Sequence, residues 1–356
     1  MKRNPAFVKL TQWEHWHTFA YYMPLFPFFI WRSLKAGHPI FYTIANPAIL
    51  FAGSGTESKF KTLDLLPEPL IPKSFLFTTN DSVSELPNRM KKKGFNFPII
   101  AKPDIGFRGY LVKKIDSIQG LKNYLKHVEE DVIIQEFIPY DNELGIFYHR
   151  IPGQKKGEIT SVTIKKFIKI KGDGQLTVAE LIEKDDRAFL YTDLFHAIHQ
   201  DKLEHILNIG EEMTLSVIGN HSKGTQFING NHLINDELEA FIDKICQQVE
   251  GWYYGRLDIK YINYDKLLKG EDFKILEVNG IISEPTHIYD ASHKDASYFK
   301  ALKSINTHWN IMGRIAQKLH KDEHIPYPSV MAYFKNMLWL RSHTQKLKKL
   351  HTMDFK

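Results

Sequence analysis

Cysteine is almost missing from this chain: of 356 residues only Cys246 is one. That excludes an intrachain disulfide and points to a reducing compartment. Cys246 lies in FIDKICQQVEGW, an apolar pattern with helical spacing, and reads as a packed core thiol rather than a nucleophile. Low-complexity tracts and internal repeats are also lacking. With 43% hydrophobic and 25% charged residues, the composition is that of a soluble globular protein divided into two or three domains.

No uncharged run is long enough for a membrane span. The most conspicuous, FAYYMPLFPFFIW at positions 19–31, would reach about 20 Å as a helix against ~30 Å of hydrocarbon, and Pro24 and Pro27 interrupt it. Glu14 precedes it and no small-residue cleavage site follows, so it is not expected to be a signal peptide. Burial against the body and lodging at a membrane interface, which Tyr and Trp favour, are its two readings. A general excess of positive charge is lacking too. The net charge is +6, but residues 335–356 hold six Lys or Arg and one acid, Asp354, which leaves +1 for residues 1–334. A nearly neutral body argues against nucleic acid as a partner. The segment MAYFKNMLWLRSHTQKLKKL then reads either as a final helix docked on the body or as a contact to an anionic membrane surface.

What is present is an alternation of β and α signals. Residues 10–36 read as helical pieces, PIFYTIANP (39–47) as a short strand, and GSGTESKFKTLDLLP (53–67) as a glycine turn leading into a helix. FPIIAKPDIGFRGYLVKKI (97–115) gives two strands around a loop with Gly106 and Gly109; IQGLKNYLKHV is a helix and DVIIQEFIP (131–139) the next strand. ELGIFYHRIPG and EITSVTIKKFIKIKGDG add antiparallel β. Helices near 177–183 and 189–208 and a β-rich 213–234 follow, then a helix at 236–250 and strands at 253–264 and 273–279, joined through KLLKGED as a hairpin turn.

The last strand, FKILEVNG, raises a question. Glu277 and Asn279 are two apart, so a strand sends both side chains to one face. Asp258 interrupts the apolar run of the preceding strand in the same way. Three oxygen-bearing side chains on paired strands suit a hard cation that retains positions for phosphate oxygens and water. Solvent-facing polar residues are the alternative.

This order of motifs resembles the ATP-grasp superfamily, most closely its carboxylate–amine ligases such as D-alanine–D-alanine ligase and the glutathione and cyanophycin synthetases. GRLDIKY and ILEVNG resemble its penultimate- and final-strand motifs, FPIIAKP its small-subdomain lysine strand, IIQEFIP followed by Glu143 its hinge, and ESKFK an earlier lysine-bearing helix start. KIKGDGQLTVAELI (169–182) and IGNHSKGTQF (218–227) resemble segments of cyanophycin synthetase and its amide-forming relatives. The likeness covers residues 53–290. It implies an α+β, ATP-grasp fold: a helical, reduced N-terminal βα unit over 1–75, a small subdomain over 76–135, a large one over 136–320 with the GDG insert, and a basic helical tail over 321–356.

The resemblance also implies roles. Lys59 (with Lys61 in reserve) and Lys102 would contact ATP phosphates, under a loop of Gly106, Phe107, Arg108 and Gly109. Glu136, Phe137 and Ile138 would read adenine and Glu143 the ribose. Asp258, Glu277 and Asn279 would hold one or two magnesium ions (Mg2+), with manganese (Mn2+) as a substitute, and Arg256 would steady the transferring group, so Arg256 and Lys102 are the catalytic candidates. Arg150, Gly172, Gly174, Asn220, Lys223, Ser283 and His287 are the substrate candidates. The implied reaction activates a carboxylate as an acyl phosphate and joins it to an amine, the substrates being small or lipid-linked, in the cytoplasm or at the inner membrane face. A phosphotransferase on the same fold and a non-catalytic nucleotide-binding module at a membrane surface are the alternatives. One departure stands out: GIISEPTHIYD (280–290) replaces the Ser-Pro-Gly-like segment that follows the metal asparagine in D-alanine ligases, implying a different acceptor site.

Overall fold

In the computed structural model, which describes residues 8, 10–16, 18–107, 109–293 and 296–354, the chain builds two antiparallel sheets that line one cavity. The fold is α+β. The first sheet contains β1 (Ser74–Phe77), β2 (Ile99–Pro103), β3 (Lys113–Ile115) and β4 (Val132–Glu136), in the order β1-β4-β2-β3. Alternation in β2 buries Ile99 and Ala101 and turns Ile100 and Lys102 to the cavity. Helices Leu86–Lys92 and Ile118–Val128 cover the buried side through Leu86, Met90, Leu121 and Val128.

The second sheet begins with β5 (Asn142–His149) and β6 (Glu158–Lys166). After β6 the chain leaves the sheet as a ribbon, β7 (Lys169–Lys171) paired with β8 (Glu212–Thr214), which encloses helices Val178–Lys184 and Thr192–Ile198 over a core of its own. It returns as β9 (Gln226–Asn229), β10 (Tyr254–Tyr261) and β11 (Phe273–Asn279), giving the order β11-β10-β5-β6-β9. One face of this sheet is apolar: Leu144, Ile146, Tyr148, Leu257, Ile259 and Ile275 pack on Leu238, Ile242 and Cys246 of helix Asp236–Cys246. Cys246 is thus a core thiol, and burial holds its pKa up.

The opposite face answers the question of the last strand. A bulge lies where Asp258 faces Glu277 and Ile259 faces Ile275, so Leu276 is the extra residue. The cavity is lined there by Leu276, Glu277 and Asn279, while Ile275 and Val278 remain in the core. Strands with one apolar and one polar face are what a two-sided sheet with a cavity on one side requires.

Three local expectations fail. The helix read near 189–208 ends at Ile198, after which the chain turns and Ile206 bridges Thr177. Residues 39–47 form no strand; Phe41–Ile44 is a 3-10 turn whose Phe41 and Ile44 bury against the long helix Tyr298–Asp322. Buried Asn46 supplies the hydrogen bonds a strand partner would have given: its Oδ1 accepts from the amides of Tyr253 and Tyr254 at 2.8 and 2.9 Å, and its Nδ2 donates to Tyr254 O at 2.8 Å. The link between β10 and β11 is not a bare hairpin turn either. Asn263 caps a short helix, Tyr264–Leu268, by accepting from the Lys266 amide at 2.9 Å, and Leu267 enters the core.

The final helix, Val330–Asp354, docks by its second half on the first sheet's side. Leu347 is fully buried in that core, His343 Nε2 lies 2.9 Å from Ile105 O, and Lys346 pairs with Glu130. Its first half leaves Met331, Phe334, Leu338 and Trp339 exposed. Among the described residues, no helix is long and apolar enough to cross a membrane.

Candidate active site

A cavity of about 1060 Å³ separates the two sheets. Its floor is the polar face of the second sheet: Glu143 on β5, Lys165 on β6, Arg256, Asp258 and Lys260 on β10, Glu277 and Asn279 on β11. Room for the longer side chains comes from Gly145, where a β-carbon would stand 3.2 Å from Arg256 Cδ and 3.3 Å from Asp258 Oδ1.

The carboxylates are held by cations. Arg256 donates to Asp258 through Nε to Oδ1 at 2.8 Å and through Nη2 to Oδ2 at 3.2 Å. Lys165 Nζ bridges Glu143 Oε1 at 2.6 Å and Asp258 Oδ1 at 3.2 Å. Burial alone would raise the Asp258 pKa; Arg256 and Lys165 together outweigh it and keep the group below the ordinary carboxylate range. Glu277 pairs with Lys59 from across the cavity. There too burial works against ionisation, and Lys59 and Lys102 reverse it.

Lys59 reaches Glu277 because its helix is anchored. Ser58 caps Lys59–Leu63 by accepting from the Lys61 amide at 3.1 Å, and Asp104 Oδ1, in the turn after β2, accepts from Ser58 Oγ at 3.0 Å and from the Phe60 amide at 2.8 Å. Ser58 stands at the helix start, where ESKFK placed it, but Asp104 carries no motif of its own and sequence reading passed over it. The reserve candidate, Lys61, is not among the cavity-lining residues. Lys102 donates to Gln135 Oε1 at 3.2 Å and, among the described residues, makes no ion pair. Burial pulls its pKa down, as does its neighbour Lys59.

The hinge passes at the cavity edge. Lys260 Nζ donates to Ile138 O at 3.3 Å and to Tyr140 O at 3.0 Å, fixing the segment after β4. Glu136 accepts from the Lys73 amide at 3.2 Å, so its side chain anchors β1 to β4 while its residue lines the cavity. Glu143 is covered by Gly219: a β-carbon there would meet Glu143 Oε1 at 2.3 Å. A glycine is therefore what allows the 217–222 loop to lie on the floor.

Asn220 and Ser283 line the cavity with the residues above. Five other substrate candidates do not. Arg150 follows the far end of β5, its guanidinium 5.3 Å from the centre of the Tyr253 ring. Gly172 and Gly174 serve the ribbon, where β-carbons would strike Asn208 O at 2.2 Å and Ile209 Cγ1 at 2.8 Å. His287 is packed, with Nδ1 2.6 Å from Ser161 Oγ, and burial lowers its pKa to about 4. Lys223 points away to Tyr110 and His351. Gly106 and Gly109 line the cavity; Arg108 lies outside the described residues.

Glu284 lies in the stretch Ser283 to His287 from which substrate groups were expected, but sequence reading gave it no role of its own. Its carboxylate accepts from the hydroxyls of Tyr22 and Tyr289, the latter at 2.6 Å, and its carbonyl accepts from Arg256 Nη1 at 3.4 Å. Among the described residues no cation pairs with it, and burial pushes its pKa up to about 7. Only the position in GIISEPTHIYD, just past the metal motif, could have flagged it. Glu14, His15 and His221 also meet at the cavity's other end, but Arg187 lies 3.3 Å from Glu14 Oε2 and makes this an ion-pair cluster.

No protein-family model and no curated protein matches the chain. Solved structures similar to it include the D-Ala:D-Ser ligase of Enterococcus faecalis, at 14% identity and TM-score 0.40 over 74% of this chain and 61% of that one. The D-alanine–D-alanine ligase of Bacillus anthracis complexed with ATP gives 12%, 0.40, 75% and 68% in the same order. A bifunctional glutathione synthetase from Pasteurella multocida gives 15%, 0.34, 65% and 33%. In fold the chain is similar to these ligases. It spans about three-fifths of the first and a third of the last. At these identities and TM-scores the likeness carries no argument about chemistry, which rests on the cavity itself.

Proposed function

We propose that the protein is an ATP- and magnesium-dependent ligase that activates a carboxylate as an acyl phosphate and joins it to an amine. The observation that carries this reading is Lys102, a half-buried cation whose only hydrogen-bond partner among the described residues is an amide oxygen, beside Lys59, Lys165 and Arg256. Lys59, Lys102, Lys165 and Arg256 gather around Glu143, Asp258 and Glu277, and a polyphosphate would give Lys102 the anionic partner that, among the described residues, it does not have.

The donor set fits magnesium. Asp258 and Glu277 face each other directly across β10 and β11, both are kept ionised, and Asn279 Nδ2 donates to Arg256 O at 3.5 Å, which leaves Oδ1 for an ion. Magnesium there would neutralise charge on the β- and γ-phosphates. Lys59 and Lys102 would then turn from Glu277 and Gln135 to phosphate oxygens, and Arg256 would steady the γ-phosphoryl group as it moves. Adenine would lie between Leu276 and the hinge at Glu136, Phe137 and Ile138, with Glu143 toward the ribose. Gly106 and Gly109 would let their loop close over the phosphates.

In the first step a substrate carboxylate oxygen bonds to the γ-phosphorus and ADP leaves. In the second the amine nitrogen bonds to the acyl carbon, phosphate leaves and the ammonium proton is lost. Glu284 is suited to take that proton, since half of it is ionised near neutral pH and it stands beside Arg256. Asn220 and Ser283 would orient the substrates. ADP release that needs both a carboxylate and an amine tests this; release with a carboxylate or alcohol alone, leaving a stable phosphorylated product, favours the phosphotransferase.

Exposed Phe26, Phe28, Ile30, Trp31 and Leu34 on the helix Phe26–Ala36, with Phe334 and Leu338 on the last helix, support contact with a lipid surface and lipid-linked substrates. Cosedimentation with anionic vesicles at low salt, lost on replacing Trp31 and Leu34 with Ser, tests it.

A further inference from the structure

An apolar pocket of about 560 Å³ opens beside the polar cavity. Phe29, Tyr42, Trp309, Met312, Tyr333 and Leu340 wall it, so it is built by the helices before and after the two sheets rather than by the sheets. Phe107 and Ile282 line both spaces, and the two therefore meet at the residues just before Ser283 and Glu284. Gly55 keeps the junction narrow but free of a side chain: a β-carbon there would stand 2.9 Å from Ile282 Cδ1 and 3.1 Å from Leu340 Cδ2.

Such a volume of apolar wall held open to water is unfavourable without an occupant. Ser54, only 6% exposed, adds a second observation: the residue lines the pocket, and its buried Oγ has no hydrogen-bond partner among the described residues. The pocket thus offers a mainly apolar sleeve whose polar lining is Ser54 and, on the last helix, Arg341, Thr344 and Gln345, and its inner mouth is at Ile282, two residues from Glu284, with which no cation pairs among the described residues.

We propose that this pocket receives the apolar chain of the amine substrate, placing its ammonium at Glu284. The inference rests on the ligase reading and names its acceptor: a single-chain amphiphilic amine. The chain enters from the face where Phe28, Trp31 and Phe334 are exposed, and the head is directed to the Glu284 carboxylate.

The test titrates the full chain with butyl-, hexyl-, octyl- and decylamine below their aggregation concentrations, alongside Mg-ATP titrations of the same samples. Affinity should rise about fourfold per methylene until the pocket is filled, then level off. Alkyl carboxylates of equal length should bind at least about tenfold more weakly, because they meet the Glu284 carboxylate. Met337→Trp, which fills the pocket from the last helix, should weaken decylamine about tenfold or more and leave butylamine and Mg-ATP unchanged. Affinity that ignores chain length in the wild type, or equal binding of amine and carboxylate, overturns the proposal. Chain-length dependence without any Mg-ATP binding would instead sink the ligase reading and leave an apolar-chain site.

Discussion

Asp258 and Glu277 are directly opposed across β10 and β11, and each is held ionised by its own cations, Arg256 with Lys165 for the first and Lys59 for the second. Their neutral variants should differ. Glu277→Gln changes a partly accessible group and should leave the fold intact while lowering turnover at least about 100-fold, beyond what loss of an outer-shell metal partner does. Asp258→Asn should lower turnover likewise and also cost about 3 kcal/mol of stability, because it leaves two buried cations poorly paired. Denaturant titrations and steady-state kinetics separate the two, and the double variant should lose far less than the product of the single losses.

Lys102→Met keeps the aliphatic stem and removes the charge that lacks an anionic partner. Nucleotide affinity should fall about tenfold or more, with thermal stability equal to or above wild type, because burial already disfavours this charge. Calorimetric titration with ATP reads the first and a melting curve the second.

Glu284 gives a pH dependence. Burial raises its pKa to about 7, so the form that accepts a proton grows as pH rises through that value. The rate of amine consumption should climb between roughly pH 6 and 8. Glu284→Gln should lose that rising limb while ATP affinity is unchanged; a wild-type limb retained in the variant would remove Glu284 from the proton path.

Acid stability rests on other residues. Burial lowers His149 and His308 from 6.5 to about 4, with Arg314 adding to the effect at His149. Between those values the unfolded chain binds protons that the folded chain refuses. The stability from the neutral rings is therefore complete above about pH 6.5 and lost as pH falls toward 4, up to about 3 kcal/mol for each. Urea unfolding at pH 7 and pH 4.5 should show this loss, and replacing His308 with Gln should reduce it.

Much of the second sheet was legible because polar residues interrupt apolar runs: Glu277 and Asn279 share a face beyond the bulge at Leu276, and Asp258 stands alone in an apolar run. The first sheet was readable from the alternation of FPIIAKP and from the short apolar run of DVIIQEFIP, which is buried along most of its length. What escaped was tertiary. The stretch around Phe41 has a strand's composition, yet packing on a long helix and the side chain of Asn46 replace the ladder. Gly172 and Gly174 belong to a turn that serves its own small core. Glu284 and Asp104 act through partners distant in sequence, Tyr22 and Ser58 among them, which no local pattern announces. Lys223 and His287 were drawn to the site by their neighbours in sequence, but one side chain faces the final helix and the other packs on Ser161 of β6.

The most direct measurement of the central claim is the nucleotide product formed when the protein meets Mg-ATP with mixed carboxylates and amines. The account predicts ADP and phosphate in equal amounts, together with a product whose mass is that of acid plus amine less water, and no ADP when either pool is omitted. ADP formed with a carboxylate or alcohol alone, accompanied by a lasting phosphorylated product, or no ATP binding by an intact protein, would contradict it.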